Sequence, residues 1–308
     1  MSSSTGLFDE LSPRARGSLA FWNSVCTALV LVALAYLGWV FSQSQPMRGE
    51  LWVYFAEPGV WWTIGRGLLA TVRAAILCIV LSILFGAILG IARLADNRVL
   101  RIVLGLWIEF FRSIPSLLII LMLFLSSSRT FGNIGDSFES AMPALVNAVL
   151  APDQWDTLGP LVLAVVIQHS AIMAEVFRGG IVAVSKGQSE AGYSIGMTRA
   201  QLLRIIVIPQ AVRGMLPALV SECVRSLKAT SLGYAIGYLD LLRTGQIIAS
   251  AYQNIIPMAL ILLVIYVSLC LPLSWLASWI ERRTSPARSP GKPGSTGRHP
   301  TKTSEGAS

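Results

Sequence analysis

Long uncharged apolar runs divide this chain, and they exclude most folds before any motif is read. The first, Leu19 to Phe41, holds 23 residues without a charge. Others end near Ala92, Ser128, Phe177, Tyr238 and Ile280. Several approach or exceed the roughly 20 apolar residues that a bilayer-spanning helix requires. The runs are continuous and do not alternate, so they read as helices and not as barrel strands. A content of 54% hydrophobic and 13% charged residues argues against a soluble protein. The expected fold class is all-α, a polytopic membrane protein of about six transmembrane helices.

The formal charge of +8 does not point to nucleic acid, because the basic residues are scattered between apolar runs without a dense patch or interleaved aromatics. Cys26, Cys78, Cys223 and Cys270 all sit inside apolar runs without metal-ligand spacing. They read as packing residues, and no metal site is expected.

In chain order, residues 1–18 form a polar N-tail. The run that follows is longer than the apolar core of a signal peptide, about 7 to 15 residues, so it reads as a retained span. A polar loop then carries Trp52 and Tyr54, with Trp61 and Trp62 beyond it, as suits a membrane interface. Arg66 and Arg73 lie near one face of the second span, where they can snorkel to headgroups or face a partner subunit. Gly86 and Gly90 have the GxxxG spacing of close helix packing. Glu109 and Arg112 can pair at three residues' separation, and Pro115 breaks or kinks the helix that follows. Residues 128–158 read as the longest external loop. The fourth span, about Gly159 to Phe177, contains Gln168, His169 and Glu175. The fifth, about Gly214 to Tyr238, carries Glu222, Arg225 and Lys228, whereas the sixth, about Asn254 to Ile280, is uncharged. From Arg282 the tail is rich in Pro, Ser, Gly, Thr and Lys and is expected to be disordered.

Six spans with both tails on one side place sixteen Lys or Arg on that side and three, Arg48, Arg129 and Arg243, on the other. By the positive-inside rule both termini are cytoplasmic. The same count puts a polar interruption, Glu190 to Ala211, in the cytoplasm. Ser185 with Gln188 and Thr198 with Gln201 have capping-box spacing, so this segment reads as two short helices broken at Gly196. Ala191, Gly192 and Gly196 are small enough to let another backbone approach, and Glu190 offers a charge. That is the shape of a docking element.

These residues carry a resemblance to a family. Glu190, Ala191, Gly192, Gly196, Ile206, Ile208 and Pro209 follow the spacing of the EAA loop in the membrane subunits of bacterial ATP-binding-cassette importers, with Gly192 and Ile208 replacing the usual Ala and Leu. AEVFRGGI, SKGQSEAG and SLKATSL resemble the polar amino-acid branch, which includes histidine, glutamate, glutamine, arginine and opine permeases. The likeness covers about residues 64–280. It implies a five-helix permease core at 64–281, with a coupling loop at about 185–211. Residues 19–63 then supply an extra N-terminal span and outer loop, and 282–308 the tail. The resemblance also implies partners: two ATPase subunits that receive the loop, a second permease subunit, identical or homologous, and a periplasmic solute-binding protein. The coupling residues would be Glu190, Ala191, Gly192, Gly196 and Pro209, in a multi-pass protein of the bacterial inner membrane. Ala229 stands where the family usually has Asp, so no role of that carboxylate carries over.

No G-x-x-x-x-G-K-[ST] loop is present; Gly291-Lys292-Pro293 lacks its spacing and hydroxyl. The chain is therefore expected to be no enzyme and to hold no cofactor, with ATP and Mg on the partner subunits. An HExxH motif is also missing from the sequence. The competing class is an ion-gradient-driven secondary transporter in which Glu175, Glu222 and His169 form a proton relay. A small-residue docking loop favours the ATP-driven importer. Candidate pathway residues are Glu222, Arg225, Lys228, Gln168 and His169. Glu222 and Arg225 can be a structural pair, or they can line the path and attract a substrate's ammonium or carboxylate.

Overall fold

A computed structural model describes residues 49–141, 143, 147 and 154–284, together with 22–40 except 23, 30, 34 and 37. The N-tail and the C-tail beyond Thr284 lie outside the described residues. Ser24–Val40 is a short apolar helix, α1. Five helices are long and apolar enough to cross a membrane: α2 (Pro58–Ala92), α4 (Ser116–Ala141), α5 (Trp155–Val182), α7 (Arg199 through Thr230) and α9 (Ile255–Thr284). Between them lie α3 (Arg98–Ser113), α6 (Lys186–Ser194) and α8 (Leu241–Tyr252). This is the expected all-α arrangement, a five-helix core preceded by an extra N-terminal helix.

The core is built around α5, which packs against α2, α3, α4 and α7. Its approach to α2 depends on two glycines. A Cβ on Gly86 would stand 2.6 Å from the Cβ of Met173, and one on Gly90 would stand 2.7 Å from the carbonyl oxygen of Ala174. The GxxxG spacing thus marks a real backbone-to-backbone contact, where packing supplies the attraction that hydrophobicity cannot supply in lipid. Pro115 also acts as expected. Asn97 caps α3 through bonds from the amides of Val99 and Leu100, α3 ends at Ser113, and extended backbone at Ile114 turns the chain into α4. Arg112 and Glu109 approach to 3.4 Å on the exposed face.

One expectation is corrected, and two further features emerge. The external loop at 128–158 begins much later, because α4 continues through Ala141. Serines in this stretch return their hydroxyls to the preceding turn, Ser137 to the Asn133 carbonyl and Ser140 to that of Ser137. Arg73 makes a bond within the bundle. Its guanidinium donates to the hydroxyl of fully buried Tyr238 at 3.3 Å, and it shares a recess with Arg66. The stretch between the last two spans is also no simple loop. It contains α8, with Leu241, Thr244, Gly245, Ile248 and Ala249 buried along one stripe.

Asp240 fixes the start of α8 by accepting from the Arg243 amide at 2.7 Å, while the Leu241 amide donates to Thr71 on α2 at 2.9 Å. The carboxyl is fully buried, its second oxygen has no partner among the described residues, and burial pushes it from 3.8 up to about 7. Between those values the folded protein holds a proton that the unfolded chain has released, so stability falls as pH rises through this window.

Two outcomes follow for melting in detergent. Gly90→Leu lowers stability by at least about 1–3 kcal/mol, the usual range for overpacking, whereas Gly65→Leu, whose added Cβ meets nothing within 4 Å, leaves it near native. The native protein melts lower at about pH 8 than at about pH 5, and Asp240→Asn, which keeps the cap oxygen, flattens that dependence.

Candidate functional site

Two polar features interrupt the apolar bundle. The first is the turn from α6 into α7. Gly196 has φ of 80°, Met197 donates its amide to the Gly192 carbonyl at 3.1 Å, and Gly196 donates to that of Tyr193 at 3.0 Å. This pair of bonds is a Schellman closure, and its left-handed residue favours glycine. Thr198 and Gln201 then form a complete capping box that starts the next helix. The expected box at Ser185 is not formed: its side chain makes no cap bond, and only its carbonyl accepts from Gln188.

The second helix of the turn is not separate. From Arg199 the chain passes through a π turn at Leu203–Val207 directly into Ile208–Thr230, so the polar turn is continuous with a spanning helix. Pro209 explains the wide turn, since its ring clashes with the carbonyl four residues earlier and it has no N–H to donate. Pro209 is exposed on the stem of the element and away from its tip.

The small residues divide into different roles. Gly192 is buried by its own chain, where an added Cβ would stand 2.5 Å from a Leu202 methyl; its size lets α6 lie on α7. Gly196 supplies the turn. Glu190 and Ala191 are exposed, and Glu190 has no ion-pair partner among the described residues. Between them and Gly196 stand Tyr193, 51% exposed, and Ile195, 78% exposed. Sequence reasoning missed both, although an aromatic and an aliphatic residue in a polar loop are a visible signal of a docking surface. The tip is braced by Arg199, 3.4 Å from Asp96 in the α2–α3 turn, and by Gln210, 3.4 Å from Gln188.

The second feature lies inside the bundle. Glu222 is fully buried on α7, with one carboxylate oxygen 2.6 Å from His169 Nδ1 on α5 and the other paired with Arg225. A buried carboxylate requires such partners, because an unpaired charge removed from water is strongly disfavoured. Arg225 and Lys228 point outward from this pair on the exposed face of α7. Gln168, although adjacent to His169, faces another neighbour: it donates to the Ile114 carbonyl at 2.7 Å and accepts from Ser116, closing the break at Pro115. The structure therefore joins His169, Glu222 and Arg225 and leaves Gln168 and Lys228 apart.

A proton relay finds no support in this geometry. Glu175 is paired with Arg93 and Arg178, and Glu222 with Arg225, so neither is a free carboxyl poised to exchange a proton. Among the described residues, no group of three or more His, Cys, Asp or Glu side chains is arranged to hold a metal.

Residues 82–286 match the family described as the binding-protein-dependent transport system inner membrane component. The glutamate transport system permease protein GluD of Corynebacterium glutamicum is 34% identical over 242 residues, covering 79% of each chain. A probable glutamine transporter permease, GlnP of Bacillus subtilis, is 35% identical over 182 residues, 59% of this chain and 74% of that one. A crystal structure of an amino acid ATP-binding-cassette transporter with histidines aligns with a TM-score of 0.59 at 30% identity, over 72% of this chain and 94% of that one. With the spanning helices, this likeness shows that the chain belongs to the inner-membrane components of binding-protein-dependent transport systems, the permease subunits of ATP-binding-cassette importers.

Proposed function

We propose that this chain is one half of a permease that passes a polar amino acid into the cytoplasm, driven by ATP hydrolysis on two partner subunits. The second half is a copy of this chain or a related permease, and a solute-binding protein delivers the substrate from outside. Both termini lie in the cytoplasm. Relatives named for glutamate and glutamine support a substrate with a carboxylate or amide side chain.

The observation that carries this reading is the closed α6–α7 turn, which presents Glu190, Ala191, Tyr193 and Ile195 outward and runs without a break into α7. In this proposal the turn seats in an ATPase subunit. Tyr193 and Ile195 supply apolar anchorage, Glu190 supplies a charge contact, and Gly192 and Gly196 keep the turn rigid. Pro209 acts through the stem. Displacement of the turn moves α7 as a rod and, with it, the Glu222–Arg225 pair that α7 carries.

Arg225 and Lys228 stand on the exposed face of a spanning helix, where contact with lipid would cost about 2.5–3.5 kcal/mol per charge on insertion scales. We assign that face to the second permease subunit and the solute path between the two. Arg225 and Glu222 are the pathway residues retained, His169 holds the Glu222 carboxylate, and Gln168 is a structural residue of the Pro115 break.

The test separates the fold of the loop from its docking. Tyr193→Asp with Ile195→Asp leaves the bonds of the turn intact, and ATP-driven uptake and co-purification of the ATPase are expected to fall at least about tenfold. Gly196→Val, strained at its positive φ by about 1–2 kcal/mol, is expected to lower uptake more than membrane insertion. A doubly substituted protein that assembles and imports at the native rate contradicts the coupling role.

A further inference from the structure

A recess of about 500 Å3 opens between the N-terminal half of α2 and the start of α8. Arg66 and Arg73 both line it, with Thr63, Thr244 and Gln154. Among the described residues no carboxylate lines it. Neither arginine has a carboxylate partner among the described residues, and the buried Nε of Arg73 has no hydrogen-bond partner. Asp240, at the start of α8, is fully buried and turns to cap that helix.

The recess is organised in part by Tyr238. This fully buried side chain donates its hydroxyl to the Ala70 carbonyl at 2.9 Å and accepts from Arg73, which holds the guanidinium at the wall. Its position in the membrane follows from the helix. Ala74 to Ala92 is uncharged, and at 1.5 Å per residue it spans about 28 Å, close to the hydrocarbon thickness. Arg73 therefore stands at one edge of the bilayer, with Arg66 about 10 Å farther along the helix. The Arg199–Asp96 contact places the docking turn at the opposite end of α2. The recess is at the mouth through which solute arrives.

Two guanidinium groups without counter-charges form an anion site, and a volume within the usual small-molecule range of about 300–1,000 Å3 accommodates a solute. We infer that this recess binds the side-chain carboxylate of an acidic amino acid at the external mouth, before the solute reaches the Glu222–Arg225 level. The inference rests on the importer reading for its place in transport, but the site itself can be tested without transport. A phospholipid phosphate shares this chemistry, and the test separates the two.

Radiolabelled L-glutamate binding is measured on the full chain in nanodiscs of phosphatidylcholine alone, with L-glutamine as the neutral competitor of similar shape. Saturable glutamate binding is expected, with glutamine at least about tenfold weaker, the effect of one lost charge-assisted contact. Arg66→Gln with Arg73→Gln is expected to abolish it. Arg66→Gln alone, which disturbs no observed bond, is expected to weaken it and guards against misfolding of the double variant. Equal binding of glutamine, absence of glutamate binding, or unchanged binding in both variants overturns the site. Retention of phosphatidylglycerol by the native chain and not by the double variant, without glutamate binding, assigns the recess to lipid and also overturns it. Glutamate binding lost in the variants, with no ATP-driven uptake by the assembled complex, leaves the recess standing and removes the importer reading.

Discussion

Gly86 and Gly90 bring the backbone of α2 against that of α5, and the other elements are arranged with respect to this pair. Between lipid-immersed helices there is little hydrophobic gain from association, so close packing supplies the attraction, and a Cβ at either glycine would remove it. With α5 held, its other faces take α3, α4 and α7. The buried polar groups then find partners across the same helix: Gln168 at the Pro115 break, His169 at Glu222, and Glu175 at Arg93 and Arg178. The polar interior is an outcome of α5's central position.

Two polar features lie along α7. Its first turn joins the closed α6–α7 turn, its π turn at Leu203–Val207 absorbs Pro209, and its middle carries Glu222 and Arg225. A closed turn at one end and a charged pair farther along thus stand on one continuous helix. The Schellman closure and the capping box stiffen that end, because they satisfy the backbone groups that would otherwise fray.

Much of this was legible in residue patterns. Six apolar runs, the break at Pro115, the Gly86–Gly90 contact, the turn at Gly196 and the box at Thr198 each follow from a local rule. The failures have local causes too. Residues 128–141 are Ser- and Gly-rich, which suggests a loop, but serine hydroxyls can bond back to the previous turn and remain helical. α8 is short and contains Arg243, so hydropathy passes over it, although Asp240 three residues before Arg243 was a readable cap. Gly192 was read as room for a partner, and only the fold shows that Leu202 fills it. For Gln168 and His169, adjacency suggested one site, whereas helical geometry turns neighbours about 100° apart and sends them to different helices. The bond of Arg73 to Tyr238 depends on the chain entering α8, which hydropathy does not mark.

The central claim is that force generated on another polypeptide moves this chain through its exposed turn. Its most direct test is uptake by the reconstituted complex in proteoliposomes, with ATP or an ion gradient supplied separately. The account predicts amino-acid uptake with ATP and none with a proton or sodium gradient alone. Uptake driven by either gradient in the absence of ATP would contradict it.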